Sequence, residues 1–329
     1  MTIHDIAKMA GVSSAAVSRY LNGGPLSTEK KAVIQAAIEQ TGYRPDMAAQ
    51  TLRTGKVKQI GVIAPSLRSQ SVGRIAEGIS TELEKAGYLM LLASSGGDEK
   101  KEVQYIDALE RSHVAGIILM GTSYTPAHKK AFAACGVPLV ITGQRLPGVP
   151  CVYNDDRVAA RELAQKMLLK GRKKLVCIGG SEKDKATGLE RRQGVQDALN
   201  AAGMDGERLT WLCCNAFTYE EGIRCMKELL LVCPELDGVV CVTDTVALGA
   251  LNALKAAGRK VGEDVSLGGI GDNWADAVAE PGLTTVHFYQ DQIGVEAARM
   301  LLEMLKEGKK DAPLRQLTLG YTIVERGSI

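Results

Sequence analysis

The chain has 329 residues, of which 45% are hydrophobic, enough for two or three domains with large cores; only 4% are aromatic, which argues against an extended surface for stacking nucleic-acid bases. The net charge is +2, but residues 1–58 carry eight Lys or Arg and four Asp or Glu, which gives that segment +4 and leaves −2 for the rest. A basic segment on a near-neutral chain is a mild indication of a phosphate-bearing partner.

The first 45 residues have the apolar spacing of three short helices. Gly11 breaks the first helix, the second begins after Ser13, whose hydroxyl suits an N-cap, and the third runs over residues 28–41. Two short helices joined by a tight glycine-containing turn predict a helix-turn-helix, whose second helix can enter the major groove of DNA. The alternative is a three-helix packing module that binds no nucleic acid.

The second helix supplies the side chains that would face base edges. Arg19 can reach a guanine or a phosphate, and Ser14 can hydrogen-bond to a base or a phosphate. The methyl groups of Ala15 and Ala16 can contact the methyl group of thymine. Ser14, Ala15 and Ala16 stand at the amino-terminal end of the helix, and Ser18 and Arg19 lie one turn further along it. We therefore predict that these residues bind DNA.

After the first 56 residues the pattern changes to short aliphatic runs separated by amphipathic helical segments. This alternation predicts a parallel sheet covered on both faces, and the number of units exceeds one sheet. We predict an α-helical helix-turn-helix head plus an α/β body of two doubly wound parallel-sheet lobes, which is periplasmic-binding-protein-like, with a cleft between the lobes. The predicted bounds are 1–45 for the head, 46–56 for a hinge and 57–329 for the body, with a first lobe of about 57–155 and 287–316 and a second lobe of about 156–286 and 317–329.

Polar and aromatic side chains that follow strand ends are candidates for a ligand site in the cleft. A sugar site needs forked donors and acceptors for neighbouring hydroxyls, and an aromatic face for the C–H surface of the ring. The candidates are Leu67, Arg68, Ser69, Gln144, Asp155, Arg191, Phe217, Asp244, Asp272 and Phe288. Each has a structural alternative: the arginines can be solvated, Asp155 can cap a helix, and Phe288 can belong to the core.

Other classes of protein find little support. The sequence has no P-loop and no G-x-G-x-x-G after a strand, and its four His form no evident catalytic arrangement, so we expect no enzyme and no cofactor. Eight Cys without a C-x-x-C pair favour buried reduced thiols over a metal site or disulfides. No segment approaches the ~20 apolar residues of a membrane span, and the start of the chain lacks a signal-peptide run, so we expect a cytoplasmic protein without a membrane partner.

The head also carries a family resemblance. Residues 2–13 (TIHDIAKMAGVS) and 17–22 (VSRYLN) resemble the DNA-binding signature of the lactose/galactose repressor family (LacI/GalR), and the resemblance extends over essentially the whole chain. It implies further DNA contacts by Thr2, Ser13 and Asn22. It also implies a hinge helix that inserts Leu52 into a base step of the minor groove. Asp46 stands where the family usually has Asn.

In the body, Arg191 with Gly194 resembles the effector-binding R-x-x-G pattern of the family, and Phe217 stands where relatives have an aromatic ring that stacks on the effector. Thr243 and Gly271 replace an Asn and an Asp of two family motifs, which resembles the branch of sucrose- and trehalose-type repressors. The resemblance implies a homodimeric repressor of a pseudo-palindromic double-stranded operator, modulated by a carbohydrate such as a disaccharide or sugar phosphate. A regulator of the same family that responds to a purine or a phosphoprotein co-repressor is the alternative.

Overall fold

The computed structural model describes residues 1–21, 24–43, 57–308 and 313–329. The predicted DNA contacts Asn22 and Leu52 and the predicted hinge over 46–56 lie outside the described residues. The chain divides into two compact units, Met1–Val57 and Lys58–Ile329, which contain the head and the body.

The described residues of the head form α1 (Ile3–Met9), α2 (Ser14–Leu21) and α3 (Thr28–Thr41). Gly11 has a φ of +65°, which a glycine adopts without strain, so the chain can turn sharply between α1 and α2. The inner faces of the three helices share one small core, made of Ile6, Ala7, Ala16, Val17, Ile34 and Ala37. This arrangement confirms the predicted helix-turn-helix.

The body is built from alternating strands and helices. Its strands are β1 (Gln59–Ala64), β2 (Leu89–Ser94), β3 (Gly116–Met120), β4 (Leu139–Thr142), β5 (Cys151–Asn154), β6 (Leu175–Gly179), β7 (Thr210–Cys213), β8 (Gly238–Cys241), β9 (Ser266–Ile270), β10 (Thr284–Phe288), β11 (Gln316–Leu319) and β12 (Tyr321–Val324). Its α-helices are α4 (Gln70–Lys85), α5 (Glu99–Arg111), α6 (Pro126–Ala134), α7 (Asp156–Leu169), α8 (Arg191–Ala201), α9 (Tyr219–Val232), α10 (Asp244–Ala256), α11 (Trp274–Val278) and α12 (Gln290–Glu307). A π-helix at Lys185–Glu190 leads directly into α8, and a short 3-10 helix spans Gly206–Arg208.

Within the described part of the chain these strands form two six-stranded sheets, one in each lobe. The order is β11-β5-β4-β3-β1-β2 in the first sheet and β12-β10-β9-β8-β6-β7 in the second. All pairings in the first sheet are parallel, whereas β12 pairs antiparallel with β10 in the second. Apolar clusters cover both faces of each sheet, as expected for parallel strands that are buried on two sides. The predicted fold class is therefore confirmed.

The lobe boundaries differ from the predicted ones by a few residues. The first sheet keeps β11 up to Leu319, which pairs with Asn154, so the predicted end at 316 falls short by three residues. The second sheet keeps β10 up to Phe288, which pairs with Tyr321, two residues beyond the predicted 286. The backbone pairing decides these ends, and the apolar pattern does not mark them. Across the described residues, no helix combines the length and apolar character needed to cross a bilayer.

Candidate functional site

Two serines begin the second helix of the head and have different surroundings. The Ser13 hydroxyl accepts a hydrogen bond from the backbone N–H of Ala16 at 3.2 Å, so it acts as the N-cap of α2. Ser14, Ala15 and Arg19 follow on α2; Ala15 and Arg19 are exposed and Ser14 is half-buried. The helix therefore presents one hydroxyl and one methyl group at its amino-terminal end and one guanidinium in its last turn.

Ala16 requires a correction. Its side chain is 6% exposed and packs in the head core with Val17, so it cannot lie against a thymine methyl group as predicted. Successive residues of a helix point about 100° apart, and this rotation separates the exposed Ala15 from the buried Ala16. The sequence prediction treated Ala15 and Ala16 alike, as two exposed methyl groups.

Thr2 and Arg19 are both exposed but are held locally. The Thr2 backbone N–H donates to Asp5 Oδ2 at 2.7 Å, and the Thr2 hydroxyl donates to the same oxygen at 3.0 Å. These two bonds hold the pKa of Asp5 below its ordinary value. Arg19 carries its side-chain stem past Gly24, where a Cβ would lie 2.7 Å from Arg19 Cγ. Glycine at position 24 therefore leaves room for the Arg19 stem. Ser18, the remaining predicted DNA contact, is half-buried on α2.

In the body, a cavity of about 460 Å³ has lining residues from both lobes and lies beside the connection between β5 and α7. Its volume falls in the range of small-molecule sites. The predicted residues Gln144 and Asp155 both line it. The full lining is Gln144, Arg145, Pro147, Tyr153, Asn154, Asp155, Asp156, Arg157, Lys185, Ala186, Glu190 and Thr318.

The charges of this cavity balance, with three basic and three acidic side chains in its lining. Arg157 is paired with Asp197 at 2.7 Å, and Asp156 is paired with Arg191 at 2.7 Å. Asn154 is 8% exposed, and its Oδ1 is buried without a hydrogen-bond partner. A buried acceptor without a partner is costly, so Asn154 brings an unmet hydrogen-bond acceptor to the wall of the cavity.

Arg191 lies behind the cavity and is almost fully engaged by the protein. Its guanidinium bonds to Asp156 Oδ1 through Nε and Nη2, donates to the carbonyl oxygen of Val242, and lies over the ring of Phe288 at 5.7 Å. Burial raises the pKa of Asp156, and the charge of Arg191 opposes that rise. Phe288 is 1% exposed in the core of the second lobe, so the prediction that it contacts a ligand is wrong and its alternative as a core ring is correct.

Asp244 is also buried, contrary to its predicted role as a ligand contact. It is 0% exposed, accepts a hydrogen bond from the Thr285 hydroxyl at 2.5 Å, and lies beside the buried Asp276. The backbone N–H of Asn273 donates to both carboxyl groups, at 3.3 Å and 2.7 Å. Burial, reinforced by the neighbouring Asp276, raises the pKa of Asp244 well above its ordinary value, and burial also raises the pKa of Asp276. This pair shapes the loop after β9.

Asp272 lies on that loop in a left-handed backbone conformation, with a φ of +53°. Its carboxylate receives bonds from Arg326 at 2.7 Å and from His287 at 3.0 Å. Partial burial opposes these bonds, but together they hold the pKa of Asp272 below its ordinary value. From the first lobe, Arg74 donates to the carbonyl oxygens of Asp272 at 2.9 Å and Gly271 at 3.4 Å. The loop is therefore fixed from both lobes.

The remaining predicted residues lie on loops at other strand ends. Leu67 and Arg68 are exposed after β1, and the Ser69 hydroxyl accepts the N–H of Val72 at 3.4 Å as the cap of α4. Phe217 is 41% exposed, and its ring lies against Gly180, where a Cβ would be 3.1 Å from Phe217 Cζ. These side chains stand at the carboxyl ends of strands, but they do not line the cavity.

Sequence reasoning missed several residues of the cavity and its supports. Lys185 and Glu190 lie on the π-helix, which has no sequence signature. Asp156 could have been found from Asp155, because two adjacent acids at a predicted lobe crossover cannot both cap the same helix. Arg74 gave no signal, because it stands on an amphipathic helix where arginines are usually solvated.

Family models match both units of the chain. The model described as "Bacterial regulatory proteins, lacI family" matches residues 2–46. The model described as "Periplasmic binding proteins and sugar binding domain of LacI family" matches residues 57–318. The boundary between the two matches falls in the segment that separates head and body.

Individual proteins are similar over nearly their full length. The chain is 31% identical over 327 residues to the HTH-type transcriptional regulator CelR of Thermobifida fusca, covering 95% of this chain and 94% of that protein. It is 28% identical over 304 residues to the sucrose operon repressor of Staphylococcus xylosus, covering 92% and 93%. Among solved structures, a complex of transcriptional regulator CelR with cellobiose matches with a TM-score of 0.74 and 28% identity, covering 100% of this chain and 99% of that one.

Proposed function

The chain belongs to the LacI family of bacterial regulatory proteins, and on that premise we propose that it is a homodimeric repressor whose grip on operator DNA changes when a neutral disaccharide enters the cleft of its body. It is a DNA-binding transcriptional regulator rather than an enzyme. Its place of action is the cytoplasm, where operator DNA is found.

The DNA-binding part of the proposal assigns α2 to the major groove. Ser14, Ala15 and Arg19 supply contacts to base edges, and Ser13, Ser18 and Thr2 supply contacts nearer the phosphates. The exposure of Ala15 and Arg19 and the room that Gly24 leaves for the Arg19 stem support this assignment. Two heads in a dimer would bind two half-sites of a pseudo-palindrome.

The ligand part rests on the cavity of about 460 Å³ at the junction of the lobes. Its balanced charges and the unpartnered Oδ1 of Asn154 favour an uncharged molecule rich in hydroxyl groups over a phosphorylated one. A similar solved structure is a complex of a transcriptional regulator CelR with cellobiose, and one relative is named as a sucrose operon repressor, which supports a disaccharide. The Asn154 acceptor is the observation that carries the proposal.

The proposed mechanism couples the cleft to the heads through the arrangement of the lobes. A ligand that contacts both lobes stabilises one arrangement over others, and only this difference in affinity can shift the population. The coupling is reciprocal, so a sugar that releases DNA must bind the DNA-bound protein less tightly than the free protein. The strand connections at the lobe junction are the points that must bend.

The test measures DNA release by the purified full-length protein. Duplexes selected by the protein from a random pool serve as probe, at one fixed salt concentration, because DNA affinity depends steeply on salt. Cellobiose, sucrose and trehalose, the 6-phosphates of sucrose and trehalose, and hypoxanthine are added separately. We expect a neutral disaccharide to release DNA. Release by a sugar phosphate or by the purine alone would contradict the proposed ligand.

A variant pair locates the effect. Asn154→Leu should bind the probe normally but need at least about tenfold more sugar for release, since it removes an acceptor from a buried site. Lys129→Ala, on the exposed surface of α6, is the matched control and should respond like the unmodified protein. An unchanged response of Asn154→Leu would place the ligand elsewhere. Sedimentation of the unmodified protein as a monomer at micromolar concentration would contradict the homodimer.

A further inference from the structure

The head contains a side-chain contact between its first two helices that the fold does not require. His4 on α1 is exposed, and its Nδ1 lies 3.3 Å from the Oγ of Ser14 at the start of α2. Neither residue belongs to the apolar core of the head. The start of α2 is capped by Ser13, and the start of α1 is capped by Thr2, so the contact caps neither helix.

A serine hydroxyl can donate one hydrogen bond and accept two, and its hydrogen rotates to suit its neighbours. A free Ser14 could therefore face either an amino group or a carbonyl oxygen on a base edge. When its hydrogen is directed to His4, only its lone pairs remain for a base. In the major groove adenine and cytosine present amino donors, whereas guanine and thymine present oxygen acceptors.

We propose that His4 is a positioning residue for DNA recognition: its Nδ1 accepts the hydroxyl hydrogen of Ser14 and so restricts Ser14 to bases that carry an amino group. This inference rests on the proposed role of α2 in the major groove. It makes α1 part of the specificity of the head, although His4 acts through Ser14. The imidazole carries its proton on Nε2 in this arrangement, since each nitrogen of a neutral ring has one role.

The test is the base preference of the full-length protein. Duplexes with a random central segment of about two helical turns are selected by binding and sequenced, with no sugar present. The unmodified protein should prefer adenine or cytosine over guanine or thymine at one position of each half-site, by roughly two- to tenfold, the range of a single hydrogen bond. His4→Phe should reduce this preference to near unity at that position and leave the others intact.

Two further variants make the result specific to this contact. His4→Asn places a carbonyl oxygen the same number of bonds from Cα as Nδ1, so it should restore most of the preference. In a Ser14→Ala background, His4→Phe should have no further effect. Circular dichroism of each variant checks that the head is folded, because a merely structural defect would weaken binding to all sequences equally.

The outcomes separate the inference from the proposal beneath it. If Ser14→Ala leaves the selected sequences unchanged, Ser14 makes no base contact and the inference fails, whereas the assignment of α2 to the major groove through Ala15 and Arg19 stands. If Ser14→Ala changes one position and His4→Phe does not, the inference alone is wrong. An effect of His4→Phe that persists in the Ser14→Ala background would show that His4 contacts DNA itself, which also overturns the positioning role.

Discussion

The two lobes of the body have the same strand order around β1 and β6 but fix their cleft edges by different chemistry. In the first lobe, Glu102 accepts hydrogen bonds from Ser95 at 3.2 Å and from His128 at 3.1 Å, and so ties the loops after β2 and β3 together. In the second lobe, charged groups fix loops at strand ends: Arg191 donates to the carbonyl oxygen of Val242 after β8, and Arg326 holds Asp272 after β9. A polar side chain at a strand end can thus stabilise the loops of the protein as readily as it can bind a ligand.

The largest effect should come from removing the buried cation of the second lobe. Arg191→Met leaves Asp156 buried without its partner, and breaking such a pair typically lowers the free energy of unfolding by about 3–5 kcal/mol. Because the folded-state pKa of Asp156 is raised, the folded variant takes up a proton as the pH falls, and its deficit should shrink toward acid pH. Urea unfolding as a function of pH measures both quantities.

The neighbouring residue provides the control. Arg192 is paired with Glu182 near the surface, so Arg192→Met should cost less than about 1 kcal/mol. Adding Asp156→Asn to Arg191→Met should recover part of the loss by removing the buried charge. If both arginine variants unfold at the same urea concentration, the second lobe does not depend on its buried charge.

The sequence predicted the architecture more completely than the site, for physical reasons. Apolar periodicity shows which residues are buried, and it located most of the strands and the helix-turn-helix. It does not show what a polar side chain bonds to, so Asp244 and Phe288 were predicted as ligand contacts although both are buried. Gln144 and Asp155 were found because they follow strands at the lobe junction. Asn154 was missed because its distinguishing feature is a buried Oδ1 without a hydrogen-bond partner, which only the packing of the folded chain reveals.

The second prediction concerns the carboxyl pair of the second lobe. The raised pKa of Asp244 means that the folded protein keeps a proton that the unfolded chain releases. The resulting stability is complete below the ordinary carboxyl pKa and is lost as the pH rises through the raised value, by about 1.4 kcal/mol per pH unit for one proton. Asp244→Asn should remove this slope, because its amide can accept from Thr285 and donate to Asp276.

Asp272→Asn is the matched control with the opposite sign. The pKa of Asp272 is lowered in the folded protein, so its contribution is present above the ordinary carboxyl pKa and is lost as the pH falls. The difference between this variant and the unmodified protein should therefore vanish in acid. Parallel pH profiles for Asp244→Asn and the unmodified protein would mean that the buried pair does not hold an extra proton.

A smaller effect is expected from the hydrogen-bond network around Glu102 in the first lobe. Glu102→Ala leaves the buried Nε2–H of His128 without its acceptor and leaves Ser95 only its longer bond to the Ala64 carbonyl oxygen, which should cost about 2 kcal/mol of unfolding free energy. Glu102→Gln should recover most of it, because its carbonyl accepts from His128 and its amide donates to Ser95. Urea unfolding compares the two. A cost as large as that of Arg191→Met would remove the contrast between the lobes.

The smallest effect tests the direct bridge between the lobes. Arg74 reaches from α4 of the first lobe to the carbonyl oxygens of Gly271 and Asp272 in the second, so it holds the loop after β9 from the opposite lobe. Arg74→Met should accelerate amide hydrogen exchange in residues 271–276 by about tenfold, equivalent to about 1.4 kcal/mol of local opening, and leave the sheets protected. Arg68→Met, on the exposed loop before α4, should leave exchange unchanged. If Arg74→Met also leaves it unchanged, Asp272 is held by Arg326 and His287 alone, and the loop belongs to the second lobe rather than to the junction. If exchange rises as expected, any ligand that moves the lobes apart must first break these bonds, so the bridge sets part of the energy difference between lobe arrangements.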